Sequence, residues 1–186
     1  KLPSVLSDNR KGAYLAGRYL IEHGHKTVAL LAGVRSYLSN QERTAGFLQA
    51  FQEEGLSIPP ELILETGSWL YDAAEKVCLN FFNTYTGEMP TALFAFNDRL
   101  ATGAINAICK TGRTVPDDVS VIGYDNLGYY NIISPRITTV ETHIEAISES
   151  TVMHMIWQLN NGSCLPVKVL TPVEVISGET VRSLLC

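Results

Sequence analysis

The feature that most constrains the fold of this chain is a repeated alternation of short apolar runs with helical segments. The apolar runs are Thr27–Ala32, Leu62–Glu65, Ala92–Phe96, Val119–Gly123 and Ile137–Val140. Continuous runs of this length, bounded by Gly, Pro or Asp, are typical of strands that are covered on both faces. Between them, apolar residues recur at the spacing of a helix face, as in Thr44, Phe47, Leu48 and Phe51. The alternation predicts an α/β fold with doubly wound parallel sheets and helices on both faces.

Two details of the helices are also predicted. Ser39 is of a residue type that caps helix starts, and it precedes the helix that carries Phe47. A long helix is expected from about residue 142 to residue 160. Its core-facing residues are predicted to be Ile144, Ile147, Val152, Met155 and Leu159.

Composition and charge narrow the class of protein. The chain has 186 residues, a net charge of −5 and a pI near 5.3, which gives no electrostatic footprint for nucleic acid. Its apolar runs are all shorter than the roughly 18 to 20 residues that span a membrane. Its four cysteines show no CxxC pair and no regular spacing. Free thiols suit a reducing compartment, so a cytoplasmic location is expected.

Polar or aromatic side chains follow the predicted strands at the points where the strands end. They are Ser39 and Arg43, Trp69, Asn97 and Asp125. Right-handed crossovers place the carboxyl ends of parallel strands at one edge of the sheet, where ligands bind in open α/β sheets. An indole face suits a sugar ring or a base, and carboxylate and guanidinium groups each bind two neighbouring polar groups. The set therefore predicts a site for a small polar ligand with an apolar face.

Each of these residues also has a structural explanation at this point. Arg43 has neighbouring glutamates with which it could pair on a solvated helix face. Asn97 is placed to cap a helix, and Asp98 would then favour the helix N-terminus through the macrodipole. Trp69 could belong to the core. Asp125 has no helix start or basic neighbour that obviously accounts for it, so it is the strongest candidate for ligand contact.

Several longer motifs resemble the lactose/galactose-repressor family of bacterial transcription regulators. They are LIEHGHKTVALLAG at 20–33, RTAGFLQAF at 43–51, PTALFAFNDRLATGA at 90–104, VSVIGYDN at 119–126 and PRITTV at 135–140. The resemblance extends from Leu2 to about Val181, and the motifs keep the family's order and spacing. Family members have a helix-turn-helix head and a two-lobed effector-binding core like a type I periplasmic binding protein.

The resemblance implies a particular organisation of the chain. The DNA-binding head and the first βα units of the N-terminal lobe are absent from it, so that lobe is expected to be incomplete. Residues 1–33 and 136–161 would be the remnant of the N-terminal lobe. Residues 34–135 and 162–186 would form the C-terminal effector-binding lobe. The backbone would then cross between the lobes three times, as in a hinge.

The resemblance also implies roles for the candidate site residues. Arg43 matches the arginine that grips the effector, and Trp69 matches the aromatic residue that stacks on it. Asn97 and Asp125 match the residues that hold its hydroxyl or amide groups, and Ser39 lies near them. Trp together with Asp and Asn favours a sugar or glycoside over a purine. Catalytic residues, a cofactor and a metal are not expected.

The leading hypothesis is therefore the effector-sensing part of a repressor that contacts DNA only through the missing head. One alternative is a periplasmic sugar-binding protein of a transporter, which shares the fold. Another is a sugar-acting enzyme, although the sequence contains no GxGxxG, GxxxxGK[ST] or GxSxG motif. A homodimer is expected, since an incomplete lobe would expose apolar helix faces at Leu15, Tyr19 and Ile21.

Overall fold

The secondary structure confirms the alternation of strands and helices. The computed structural model describes residues 3–128, 134–162 and 166–185. The strands are β1 (Ser4–Ser7), β2 (Val28–Ala32), β3 (Ile63–Glu65), β4 (Ala92–Ala95), β5 (Ser120–Asp125), β6 (Thr138–Glu141), β7 (Lys168–Thr171) and β8 (Glu174–Ile176). The helices are α1 (Asn9–Glu22), α2 (Leu38–Glu53), α3 (Tyr71–Thr84), α4 (Asp98–Lys110) and α5 (Ile144–Asn161), and a 3₁₀ turn (Pro60–Leu62) precedes β3. All of these helices, in the residues described, are too short or too polar to span a lipid bilayer.

A six-stranded sheet with the order β3-β2-β4-β5-β6-β8 forms the centre of the structure. Neighbouring strands are parallel, except that β8 runs antiparallel to β6. β2 and β4 are buried along their whole lengths, which explains their continuous apolar sequences. The chain goes from β2 to β3 on one side and to β4 on the other, so the strand order switches direction between β2 and β4. In open α/β sheets this switch point is where ligands bind.

Four of the helices pack in two pairs, α1 on α2 and α3 on α4. Gly46 makes the first pair possible, because a Cβ at this position would lie 2.0 Å from the carbonyl oxygen of Arg10. Gly103 has the same role in the second pair, where a Cβ would lie 2.5 Å from the carbonyl oxygen of Tyr71. The close approach at Gly46 brings α1 against α2, and it therefore sets the distance between Arg43 on α2 and the start of α1.

The predicted division into lobes differs from the observed sheets. β2 and β6 were predicted to belong to the N-terminal lobe, within residues 1–33 and 136–161, but both lie in the six-stranded sheet. β7, predicted in the C-terminal lobe, instead pairs with β1 in a separate two-stranded parallel sheet, and α5 contacts β1. The strands outside the large sheet are thus β1 and β7, and together with α5 they form a separate unit. The sequence pattern marks where strands are but not which strands pair, and the predicted boundaries were wrong for that reason.

The predicted burial of α5 was also wrong. None of its residues is fully buried, and most of its large apolar side chains are exposed over about half or more of their surface, although Ile147 is half-buried. Leu159 is 76% exposed and Met153 is 70% exposed. Helical periodicity shows that a helix has an apolar stripe, but it does not show what covers the stripe. Leu15, Tyr19 and Ile21 on α1, which were expected to be exposed, are half-buried.

Candidate functional site

Arg43 lies at the centre of the site. It belongs to the second turn of α2, and only 8% of its surface is exposed. Its Nε donates to Oδ1 of Asn9 (2.8 Å), one terminal nitrogen donates to the carbonyl oxygen of Phe96, and the other donates to Oδ1 of Asp125 (3.2 Å). The guanidinium also lies over the ring of Tyr124, 3.6 Å from its centroid. Arg43 is therefore held by the ends of β4 and β5 and the start of α1, not by neighbouring glutamates on its own helix.

Asp125 is the last residue of β5, at the edge that the strand-end rule predicted. Its side chain is 27% exposed, compared with 9% for that of Arg43, so the carboxylate is the more accessible member of the pair. Its backbone carbonyl accepts a hydrogen bond from the hydroxyl of Thr142 (3.1 Å). Burial raises the pKa of the Asp125 carboxyl, while the charge and the hydrogen bond of Arg43 act to lower it. Arg43 thus favours the ionised form of a carboxylate at the sheet edge.

Asn97 and Trp69 form the adjoining part of the site. Asn97 follows β4 and caps α4, since its Oδ1 accepts from the backbone N–H of Leu100 (2.7 Å). Its Nδ2 donates to the carbonyl oxygen of Trp69 (3.4 Å). The capping interpretation is therefore correct for Asn97, and the residue lies directly after β4, at the edge of the sheet that the strand-end rule predicted. Trp69 is half-buried, and its indole covers Gly33, where a Cβ would lie 2.6 Å from the ring.

Ser39 lies in the first turn of α2, four residues before Arg43. Residues at this spacing lie on the same helix face, so Ser39 is on the side of α2 that carries Arg43. Its predicted role as a helix cap was wrong, because α2 begins at Leu38 with Tyr37 as an extended cap residue. The neighbouring Asn40 makes the bond to the end of β2, where its Oδ1 accepts from the backbone N–H of Gly33 (2.9 Å).

Sequence reasoning missed two residues of the site. Asp8 caps α1, and Asn9, the first residue of that helix, is buried against Arg43. Tyr124 is part of the VSVIGYDN motif, but the sequence did not predict that its ring would be fully buried beneath Arg43. The signal for Tyr124 is Gly12, because a Cβ at Gly12 would lie 2.3 Å from the tyrosine hydroxyl oxygen. The glycine at position 12 indicates a buried ring only once α1 and β5 are known to be adjacent.

The arrangement combines the chemical groups that bind a hydroxyl-rich ligand. Asp125 and Asn97 offer a carboxylate and a carboxamide at adjacent strand ends, and Trp69 provides a partly exposed aromatic ring beside them. A carboxylate accepts two neighbouring hydroxyl hydrogens, and an indole face packs on the C–H face of a sugar ring. No group of three or more His, Cys, Asp or Glu side chains that could hold a metal ion is found within the described part of the chain.

The fold and its strand-order switch define a domain of the periplasmic-binding-protein type. Residues 18–181 match the periplasmic binding protein-like domain family, and the chain belongs to that family. Within it, the sequence and the structure match the effector-binding core of lactose-repressor-type transcriptional repressors.

Three comparisons illustrate the match. The probable HTH-type transcriptional repressor ExuR of Bacillus subtilis is 31% identical over 98% of this chain and 54% of its own length. The HTH-type transcriptional repressor PurR of Pasteurella multocida is 34% identical over 98% of this chain and 54% of its own length. The lac repressor dimer bound to operator and the anti-inducer ONPF superposes with a TM-score of 0.87 at 27% identity, covering 98% of this chain and 53% of the repressor chain. The chain thus spans about half the length of the curated relatives that it matches.

Proposed function

We propose that this chain is the effector-sensing part of a cytoplasmic transcriptional repressor, and that its effector is a sugar or a glycoside. The observation that carries the proposal is the hydrogen bonding of Arg43 to the Phe96 carbonyl and to Asp125 beside the switch point of the sheet, with Asn97 directly after Phe96. Family membership supports the sensing role, and the chemistry of the network supports the ligand class. A binding role without catalysis agrees with relatives that are repressors.

Each site residue has a proposed part in binding. The carboxylate of Asp125 and the carboxamide of Asn97 bind hydroxyl groups of the effector, and the indole of Trp69 stacks on its ring. All three hydrogen bonds described for Arg43 go to protein acceptors, so its main role is to orient Asp125. Ser39 contributes a hydroxyl from the same face of α2. A ligand lacking one of the matched hydroxyls would leave a buried polar group unpaired, which is the basis of tight discrimination.

Effector binding would control DNA through a change in domain geometry. The chain passes three times between the six-stranded sheet and the unit of β1, α5 and β7, which is an arrangement suited to a hinge. An effector that binds one hinge state more tightly shifts the population toward that state. In the whole protein, this shift in population would change the DNA affinity of a helix-turn-helix head. A homodimeric assembly is supported by the structural similarity to the lac repressor, which binds its operator as a dimer.

The transporter alternative is less well supported. A periplasmic sugar-binding protein would share the fold, but the relatives named above are transcriptional repressors. Cys78 and Cys109 are free thiols, which fits a reducing compartment better than the periplasm.

A fluorescence titration tests the proposal, because the chain has only two tryptophans, Trp69 and Trp157. In the Trp157→Phe variant, the emission comes from Trp69 alone. We expect a saturable change in emission with one member of a panel of hexoses, pentoses, uronates and their methyl glycosides, since stacking changes the surroundings of the indole. In the Trp69→Phe control, the same sugar should give no change.

The other outcomes of the titration are also informative. A response to purine bases and to no sugar would overturn the ligand class but keep the sensing role. No response to any of these compounds would contradict the sensing role itself. Turnover of the responding sugar, followed by chromatography, would overturn the binding-only interpretation.

A further inference from the structure

The backbone that carries Asp125 has an unusual conformation. Asp125 has a φ of 101° and Asn126 a φ of 51°, although neither residue is glycine. Positive φ values are sterically unfavourable for residues with a Cβ, at roughly 1–3 kcal/mol each, and they persist only where the surroundings fix them. Such strain at a binding residue raises the question of which contacts hold residues 125–127 in place.

A buried carboxylate lies directly beneath these residues. Asp98, the first residue of α4, is 1% exposed. Its Oδ2 accepts a hydrogen bond from the backbone N–H of Leu127 (3.3 Å), and its Oδ1 accepts one from the hydroxyl of Thr139 on β6 (2.6 Å). The backbone N–H of Asn126 also interacts with it. A Cβ at Gly123 would lie 2.3 Å from Oδ1, so glycine at this position is what allows the carboxylate to approach.

The contacts of Asp98 join parts of the site that are otherwise separate. Asp98 follows Asn97 directly, so one helix start carries a site residue and also holds the backbone after Asp125. From β6, Glu141 accepts from Nδ2 of Asn126 (2.5 Å), which fixes the same segment from its other side. Asp98 therefore links α4, β5 and β6 beneath the edge where the effector is proposed to bind.

We propose that Asp98 is a positioning residue: its carboxylate holds the strained backbone of residues 125–127 and thereby directs the Asp125 carboxylate toward Arg43 and the effector. The part of this inference that concerns the effector rests on the proposed function. The part that concerns the backbone does not, and it can be measured without any ligand.

The charge of Asp98 matters to this role. The ionised carboxylate has acceptors for the hydroxyl of Thr139 and for the backbone N–H groups of the segment, whereas a protonated carboxyl would turn one acceptor into a donor. The charged group that acts on Asp98 is Asp125 on β5, which is paired with Arg43 of α2, while Glu141 at the end of β6 contacts Asn126 of the same segment. Burial and the negative charge of Asp125 raise the pKa of Asp98 to about 7, against the lowering effect of its hydrogen bonds. The segment should therefore be held most firmly above this pH.

Amide hydrogen exchange of the ligand-free chain, followed by ¹⁵N NMR, tests the proposal. In Asp98→Asn, we expect exchange of the Leu127 amide to be roughly tenfold faster or more, since a hydrogen bond to a charged acceptor is lost. The terminal Nη2 resonance of Arg43 should shift as well, because its acceptor Asp125 moves. The wild-type Leu127 amide resonance should titrate with pH near neutrality, and this titration should be absent from Asp98→Asn.

A matched control and a second variant keep the result interpretable. Asp72 is an exposed aspartate in the first turn of α3, so Asp72→Asn makes the same chemical change at the start of another helix, on an exposed side chain. It should leave the Leu127 and Arg43 resonances as in the wild type. Should Asp98→Asn fail to fold, Thr139→Val removes only the hydroxyl donor and should speed Leu127 exchange, with Thr139→Ser restoring protection.

Two results would overturn the proposal. One is unchanged Leu127 exchange in the folded Asp98 and Thr139 variants. The other is an equal change in Asp72→Asn, which would show a general loss of stability. Failure of the sugar titration together with the expected NMR result would reject the proposed function and leave the positioning role of Asp98 intact.

Discussion

At the scale of single residues, the site depends on one buried cation. Arg43 is almost fully enclosed, and its donors are directed to three acceptors from different elements: Asn9, Phe96 and Asp125. Removing one partner of such an arrangement costs more than the pair contributes, because the remaining groups stay buried without compensation. The partial exposure of Asp125 limits this cost, since water can reach the carboxylate.

We expect Arg43→Met to lower the free energy of unfolding by about 2–4 kcal/mol, because it leaves the Phe96 carbonyl and the Asp125 carboxylate without their donor. Urea denaturation at neutral pH measures the change. Arg35→Met is the matched control: Arg35 pairs with Glu65, but its side chain is 82% exposed. Equal losses in the two variants would show that burial of Arg43 is not the source of the effect.

The strand-end rule is sufficient to predict from the sequence that Arg43, Asn97 and Asp125 lie at the same edge of the sheet. Parallel strands joined by right-handed crossovers leave little freedom in where their carboxyl ends lie. Asn9 was out of reach of this reasoning, because its contact with Arg43 depends on how closely α1 packs on α2. Tyr124 was missed for the same reason, since only the adjacency of Gly12 reveals the space that its ring occupies.

At the scale of elements, the pairing of α1 with α2 sets the geometry of the site. Gly17 and Gly46 lie where the helices approach, and a Cβ at Gly17 would lie 2.8 Å from the Cβ of Ala50. The spacing of Thr44, Phe47, Leu48 and Phe51 was sufficient to predict α2, because the recurrence of apolar residues on one helix face is a local signal. The cap of α2 was predicted wrongly, because the helix begins before Ser39, at Leu38, and its cap residue Tyr37 makes no side-chain capping bond that a residue-type rule could detect.

Gly46→Ala should destabilise the protein by about 1–3 kcal/mol, although the same change in an open helix would stabilise it by up to about 1 kcal/mol. The sign is reversed because the new methyl group would meet the backbone of Arg10, which cannot move as a flexible side chain would. Thermal unfolding followed by circular dichroism measures the change. Gln52→Ala, an exposed substitution in the same helix, should leave the stability unchanged or slightly higher. A stabilised Gly46→Ala variant would contradict the close packing of α1 on α2.

At the scale of the whole molecule, distant segments are joined by a few buried polar groups. His25 is fully buried between α1 and β2; its Nε2 bonds to the carbonyl oxygen of Arg182 (3.1 Å), and its Nδ1 bonds to the hydroxyl of Thr91 (3.0 Å). With the proton on Nε2 donated to the carbonyl, the neutral ring satisfies both contacts. Burial lowers the pKa of His25 below its usual value, so the folded chain resists protonation of this ring.

A pH dependence of stability follows from His25. Below a pH of about 6.5, the unfolded chain binds a proton that the buried ring does not, so the free energy of unfolding contributed by His25 should fall as the solution is acidified. His25→Gln should be less stable at neutral pH but should lose this part of the pH dependence. Urea unfolding at a series of pH values checks the prediction. His154→Gln, at a half-exposed position on α5, should keep the wild-type profile, and an unchanged profile in His25→Gln would contradict the assignment.

The division into lobes was the property that the sequence predicted least well. Strand positions are encoded locally, but membership of a sheet depends on which strands pair across more than a hundred residues, as β1 does with β7. The apolar stripe of α5 has the same ambiguity, because its side chains read as core residues while they are largely exposed in the structure. Local patterns therefore determine the elements, and pairing at long range determines the architecture.

The antiparallel pairing of β6 with β8 has a consequence for the engineering of this domain. Glu141 and Glu174 lie directly opposite each other at the open end of that pair, and the intervening segment leaves the large sheet and returns to it. Replacing residues 142–173 by a short Asn-Gly turn would close the two strands into a hairpin without altering their register. The result would be a minimal single-lobe scaffold that retains every strand of the large sheet. The pair Glu141 and Glu174 would be the first to redesign, since like charges directly opposite each other are destabilising.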